Sequence, residues 1–187
     1  GGNARYTAVG LAISNKGYVG TGWDFSNYND FWEYDPSADF WSPKANFSGA
    51  ARQSAIGISI AGKAYIGTGY DGASYNDFWE YDPVSDFWTQ KVDYPGNPAY
   101  GCASFTINDE GYVGTGGNGF VFFTEFWKYV PGNNTWTSVA NFGGAERRHP
   151  ASFAIACNGY VGTGVISNAG TYTKDFWEYS ALSPLAH

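Results

Sequence analysis

The sequence contains no methionine, two cysteines, two histidines and ten basic residues among 187. Each scarcity excludes something. Cys102 and Cys157 allow at most one bridge, so the fold is not built on disulfides. His149 and His187 are too few for a zinc or copper centre, and neither a metal nor a cofactor is expected. Against 17 acidic residues the basic ones leave a net charge of −7, and no basic run exceeds Arg147-Arg148. A nucleic-acid partner is therefore not expected. Apolar runs are only a few residues long, far short of the roughly 20 that cross a bilayer as a helix, and membrane insertion is not expected either. With neither an initiator methionine nor a signal-peptide pattern at its start, the chain reads as processed or as a fragment.

Aromatic residues and glycine fill the composition instead: 15 Tyr, 14 Phe, 8 Trp and 26 Gly, with charged residues at only 14%. They are arranged periodically. Gly-Tyr-Val-Gly-Thr-Gly stands at 17–22, returns as Ala-Tyr-Ile-Gly-Thr-Gly at 64–69, and recurs intact at 111–116 and 159–164. A second string follows each copy, as Phe31-Trp32-Glu33-Tyr34, Phe78-Trp79-Glu80-Tyr81, Phe126-Trp127-Lys128-Tyr129 and Phe176-Trp177-Glu178-Tyr179. The tyrosines Tyr18, Tyr65, Tyr112 and Tyr160 lie 47, 47 and 48 residues apart, giving repeats of approximately 5–51, 52–98, 99–146 and 147–187 in a single domain. Within each repeat a small, apolar run such as Ala8–Ile13 suits a strand covered on both faces. The Tyr-Val-Gly-Thr-Gly and Phe-Trp-Glu-Tyr segments supply two more strands, and Trp41, Trp88 or Trp136 marks a fourth. No stretch has helical periodicity with caps. The class is all-β, and four-stranded units of this length are what propeller blades require.

The paired glycines closing the second strand, the third strand ending in Tyr34-Asp35-Pro36 or Tyr81-Asp82-Pro83, and the tryptophan that follows make the chain resemble the kelch-repeat propellers, the galactose oxidase and kelch-like group. The likeness spans essentially the whole chain. It departs in Gly-Thr-Gly for the usual Gly-Gly and in Val130-Pro131 and Ser180-Ala181 for Asp-Pro. The expected fold is a kelch-type β-propeller of four antiparallel blades, the fourth lacking its outer strand, because Ala186 occupies the position of the last tryptophan. The resemblance implies rings of more than four blades. A homodimer completing an eight-bladed ring is expected ahead of a closed four-bladed monomer or a fragment of a longer propeller, with Phe31 and Trp32 packed on Phe176 and Trp177. Cys102 and Cys157 fall at opposite ends of neighbouring inner strands, about 23 Å apart, beyond the reach of a bridge.

All length variation in the repeat sits between strands two and three. Insertions in repeat arrays gather on the face that is free to bind. On that face the linkers carry Arg5, Arg52 and Arg147 in register, with Arg148 beside the last, and the loops carry Trp23, Tyr28, Tyr70, Tyr75, Phe120 and Tyr172. Guanidinium groups offer forked donors to a carboxylate, and flat rings suit sugars or peptides. The expected function is non-catalytic recognition of a peptide or glycan there, as the resemblance also implies. The alternative is a half-ring that assembles and takes no small ligand. Repeat three alone has Ala99 for Arg and Lys128 for Glu, which points to Arg–Glu pairing inside a blade. Catalysis is not expected: there is no nucleophile-elbow motif, and Asp30, Asp77, Glu125 and Asp175 recur once per repeat, which marks structure. An extracellular or cell-surface location fits the acidic, aromatic-rich repeat.

Overall fold

The computed structural model describes residues 1–180. The chain folds as a four-bladed β-propeller, with fifteen strands and no helix among the described residues. Blade one comprises β1 (Val9–Ile13), β2 (Lys16–Gly20), β3 (Phe31–Asp35) and β4 (Phe40–Lys44). Blade two has β5 (Ile56–Ile60), β6 (Lys63–Gly67), β7 (Phe78–Asp82) and β8 (Phe87–Gln90), and blade three has β9 (Ala103–Ile107), β10 (Glu110–Gly114), β11 (Phe126–Val130) and β12 (Thr135–Ser138). Blade four contains β13 (Ala151–Ile155), β14 (Asn158–Gly162) and β15 (Phe176–Ser180). Ala186 and His187, on which the missing outer strand was read, lie outside the described residues. Strands pair antiparallel in chain order throughout, so each blade is a meander.

The Gly-Thr-Gly string is shaped by two separate demands. Its threonines, Thr21, Thr68, Thr115 and Thr163, adopt left-handed φ of 57°, 56°, 57° and 61°, followed by a second left-handed residue, the final glycine. A β-branched residue in this region is strained and is held there only by its surroundings. The first glycine answers to packing: a Cβ on Gly20 or Gly67 would stand 2.6 Å from the ring of Phe31 or Phe78. The ring lies flat on the strand because nothing projects beneath it.

Alternation gives each blade a forward face, toward the next blade, and a rear face. Tyr18 and Phe31 on the forward face of blade one meet Ala64, Ile66, Tyr81 and Trp88 on the rear of blade two. The same arrangement joins blade two to three through Ile58, Tyr65 and Phe78 against Val113 and Tyr129, and blade three to four through Phe105, Tyr112 and Phe126 against Val161. Inner strands β1, β5, β9 and β13 touch in that order, while β13 and β1 do not meet. The blades form an open arc. One expected closing set is corrected by this geometry: Phe31 is already buried against blade two, and Trp32 and Trp177 lie on rear faces, beneath the linker glycines Gly1 and Gly143. Of the four, Phe176 stands bare on the forward face of blade four, while Trp32, on the rear face of blade one, is covered by the linker at Gly1. The cysteines are both free, as their register requires, and burial pushes the Cys102 thiol up to about 12, against a lowering contact from Thr68.

Candidate functional site

Beside the inner strands, each linker runs back along the loop between strands two and three of its own blade, as Tyr6 pairs with Trp23, Gln53 with Tyr70, Tyr100 with Gly117 and Arg148 with Val165. Linkers and loops therefore share one face, as the sequence implied. Neighbouring linkers are tied by a run of amide bonds from blade to blade, Ser54 N to Thr7 O at 3.0 Å, Gly101 N to Ser54 O at 2.9 Å and His149 N to Gly101 O at 2.7 Å. A second run goes from Gly22 N to Arg52 O, Gly69 N to Ala99 O and Gly116 N to Arg147 O.

Three of the four arginines on this face are turned inward. Arg52 and Arg147 have no exposed side-chain surface, and Arg5 keeps 6%. Arg52 donates Nε to Ala50 O at 2.9 Å and Nη1 to Thr68 O at 2.8 Å, and grips the Asp77 carboxylate with both terminal nitrogens. Arg5 with Asp30 and Arg147 with Asp175 repeat every one of these bonds. An aromatic ring lies against each guanidinium: Tyr28, Tyr75 and Phe142 at 4.3, 4.0 and 4.5 Å. Each aspartate also accepts from the indole two residues on, at 2.8 Å. With four donors committed to the blade, these arginines staple linker to sheet instead of lining the opening. Their partner is this aspartate, not the strand-three glutamate the sequence suggested. Glu33 and Glu80 point to the forward face, where the hydroxyls of Tyr18 and Tyr65 donate to them at 2.6 and 2.5 Å and lysines surround them.

Arg148 is built differently. It is the one arginine with no carboxylate partner among the described residues. Its guanidinium lies over the rings of Tyr100 and Phe122, at 5.1 and 4.9 Å, and donates Nη1 to the Tyr100 hydroxyl. Its Nε is buried with no hydrogen-bond partner. Beside it opens a cleft of about 300 Å³ near the axis, walled by Tyr6, Gln53, Tyr70, Tyr100 and His149. Tyr70 and Tyr100 lie against each other at 5.0 Å, and the other side of Tyr70 borders a second hollow closed by Phe120 and Asn118. Desolvation beside the packed linkers, then the Arg148 charge, lowers the His149 imidazole from its ordinary value.

Of the residues singled out in sequence, Arg148, Tyr70 and Phe120 gather around these two hollows. Trp23 packs edge-on against Tyr6 at 5.3 Å. Tyr28 and Tyr75 serve the arginine staples, and Tyr75 is further anchored by its hydroxyl on Asp71. Phe120 and Tyr172 stand 88% and 79% exposed at loop tips. The reading missed Tyr6, Gln53 and Tyr100, although their signal was in the repeat: together with Arg148 they are the four residues that follow Arg5, Arg52, Ala99 and Arg147. The next position is left-handed in all four linkers (Thr7, Ser54, Gly101, His149), which turns the chain and aims the preceding side chain at the axis.

No protein-family model matches this sequence, and no curated protein matches it. Among solved structures the chain is similar to one described as "Structure of YjhT", with a TM-score of 0.83 and 17% identity over 96% of this chain. The match spans 62% of that chain. A likeness at this identity speaks to the fold, and the fold alone leaves function open.

Proposed function

We propose that this is a non-catalytic, kelch-type binding module that takes a peptide or a glycan bearing an anionic group on the face of the linkers and strand two-to-three loops. The observation that carries the reading is Arg148: a guanidinium with an aromatic cradle, an orphaned Nε and no carboxylate of its own. A buried donor without a partner costs free energy, which leaves Nε to the blade interior, while Nη2, also without a partner among the described residues and not enclosed, is the nitrogen that a ligand carboxylate at the cleft meets with a charge-assisted bond. Tyr6, Tyr70 and Tyr100 offer flat walls to a sugar ring or a peptide backbone, and Gln53 offers an amide.

The test is a glycan and peptide array containing acid-bearing and neutral members, probed with the labelled wild-type chain and with Arg148→Ala. Acid-bearing members are expected to be captured by the wild type, with at least a tenfold loss, about 1.4 kcal/mol, in the variant at unchanged melting temperature. Capture that ignores the acid, or survives Arg148→Ala, defeats the reading. A second reading, assembly without a small ligand, is favoured by the uncovered faces at the two ends of the arc.

A further inference from the structure

The second hollow, beyond Tyr70, is walled by blades two and three alone. Its volume is about 530 Å³, larger than the axial cleft, and its sides come from the loops at 70–74 and 118–120 and from Pro98 in the linker between them. This linker is the one without an arginine staple. Ala99 stands in place of Arg, and Pro98 stands where the other linkers have Ala4, Ala51 and Glu146. The hollow is lined by no charged side chain.

Its walls are fixed before anything binds. Tyr70 is paired with Gln53 through both backbone groups, each bond at 2.9 Å. Asn118 Oδ1 accepts from the Phe120 and Val121 amides at 3.1 Å, and the Phe120 carbonyl accepts from Asn168 Nδ2 of the next blade at 3.0 Å. On this pinned backbone the Phe120 ring is 88% exposed, with only its two side-chain torsions left to order when a ligand covers it.

The lining selects the occupant. A sugar ring brings several hydroxyls, each of which must exchange water for a protein partner or lose free energy. Ser74 Oγ is enclosed and Asn118 Oδ1 is committed. That leaves Asn118 Nδ2 and the Tyr70 hydroxyl among Ala73, Pro98 and Phe120, a lining suited to an apolar side chain with one donor to spare for a backbone carbonyl. The charge of Arg148 is close by. Tyr70 is the one residue that lines both hollows, and the Tyr100 hydroxyl, which accepts from Arg148 Nη1, lies 3.9 Å from where a Cβ on Gly119 would stand. Groups resting on opposite sides of a single ring are about 7 Å apart, twice a carbon contact. Side chains two residues apart on an extended chain point the same way at about that separation.

We propose, on the reading of Arg148 given above, that the ligand of this face is an extended peptide, which sets an acidic side chain on Arg148 and, two residues away, a large apolar side chain in the outer hollow against Phe120 and Pro98. Labelled seven-residue Gly/Ser peptides with one central glutamate, and phenylalanine placed one, two or three residues to either side or left out, test this by fluorescence anisotropy. Phenylalanine two residues from the glutamate, on one side, should tighten binding at least tenfold over the peptide without it, and the other spacings should not. Ala73→Trp, which fills the hollow from an exposed loop position, and Phe120→Ala, which removes a wall, should each abolish that gain at unchanged melting temperature. No gain at any spacing, a gain at another spacing, or a gain that survives either variant overturns the inference while leaving the acid dependence through Arg148 standing. If the glutamate peptides are not captured, or are captured equally with glutamine in its place, the reading of Arg148 falls and this inference with it.

Discussion

Arg52 shows what a repeated charged residue does when it is structural. Its guanidinium is fully buried and its carboxylate partner keeps 20% exposure, so truncation strands the Asp77 carboxylate and the carbonyls of Ala50 and Thr68 at once. Arg52→Ala is expected to cost about 3 kcal/mol, the lower end for breaking a buried pair because Asp77 is partly solvated; chemical denaturation measures it, and a cost under about 1 kcal/mol, that of a surface pair, would contradict the staple. Arg52→Lys should recover little, since an ammonium cannot reproduce the fork. A sister staple gives stability a pH signature. Hydrogen bonds from Arg147 hold the Asp175 carboxyl well below its usual range, against partial burial and with help from Trp177 and Thr173. A depressed folded-state value stabilises the fold fully above the unfolded pKa, about 3.9, and that contribution disappears as pH falls through the folded value. Asp175→Asn should therefore be less stable at pH 7 and flatter in its acid limb, which thermal melts across pH report. His149 works in the opposite sense on binding. Lowering pH below the depressed value adds a second cation beside Arg148, so capture of an acid-bearing ligand should tighten there and then fail as the ligand's own carboxylate protonates.

Among the strands, packing is most exacting at the glycines that face a neighbouring blade, Gly57, Gly111 and Gly159. Gly159→Ala drives a methyl into the ring of Phe105 and should cost about 1–3 kcal/mol as an overpacked core does, whereas Gly17→Ala should leave the stability of the isolated chain almost unchanged; paired denaturation curves separate the two. The strands themselves were legible because the Tyr and Phe-Trp strings repeat in register and alternate faces with period two. What periodicity conceals is which neighbour a side chain meets. Glu33 and Asp30 are three residues apart, yet the glutamate stands on the strand facing blade two while the aspartate precedes the strand beside the linker. The third repeat misled for the same reason. Ala99 is offset by Glu125, which accepts from the Asn97 amide at 2.7 Å and leaves the Trp127 indole without a partner. Lys128 exchanges charge with Glu110 across the sheet, at 2.9 Å. These are two separate local swaps. The axial side chains went unread because a single linker residue carries no periodicity of its own, and only its left-handed successor turns it inward.

At the scale of the molecule, the three junctions are nearly copies of one another and each blade touches only its neighbours, so stability is shared along a line. Blades two and three are held on both sides; blades one and four are held on one. That asymmetry has a thermal reading. Fluctuations that release a blade should begin at the ends and move inward, because an end blade gives up one packed face and an inner blade two. Deuterium uptake ought to be fastest in β1–β2 and β13–β15 and slowest in β5–β6 and β9–β10, a gradient along the chain that mass spectrometry of peptides resolves. In this way an uncovered sheet face becomes a clock, and the amides nearest it count how often its blade comes loose.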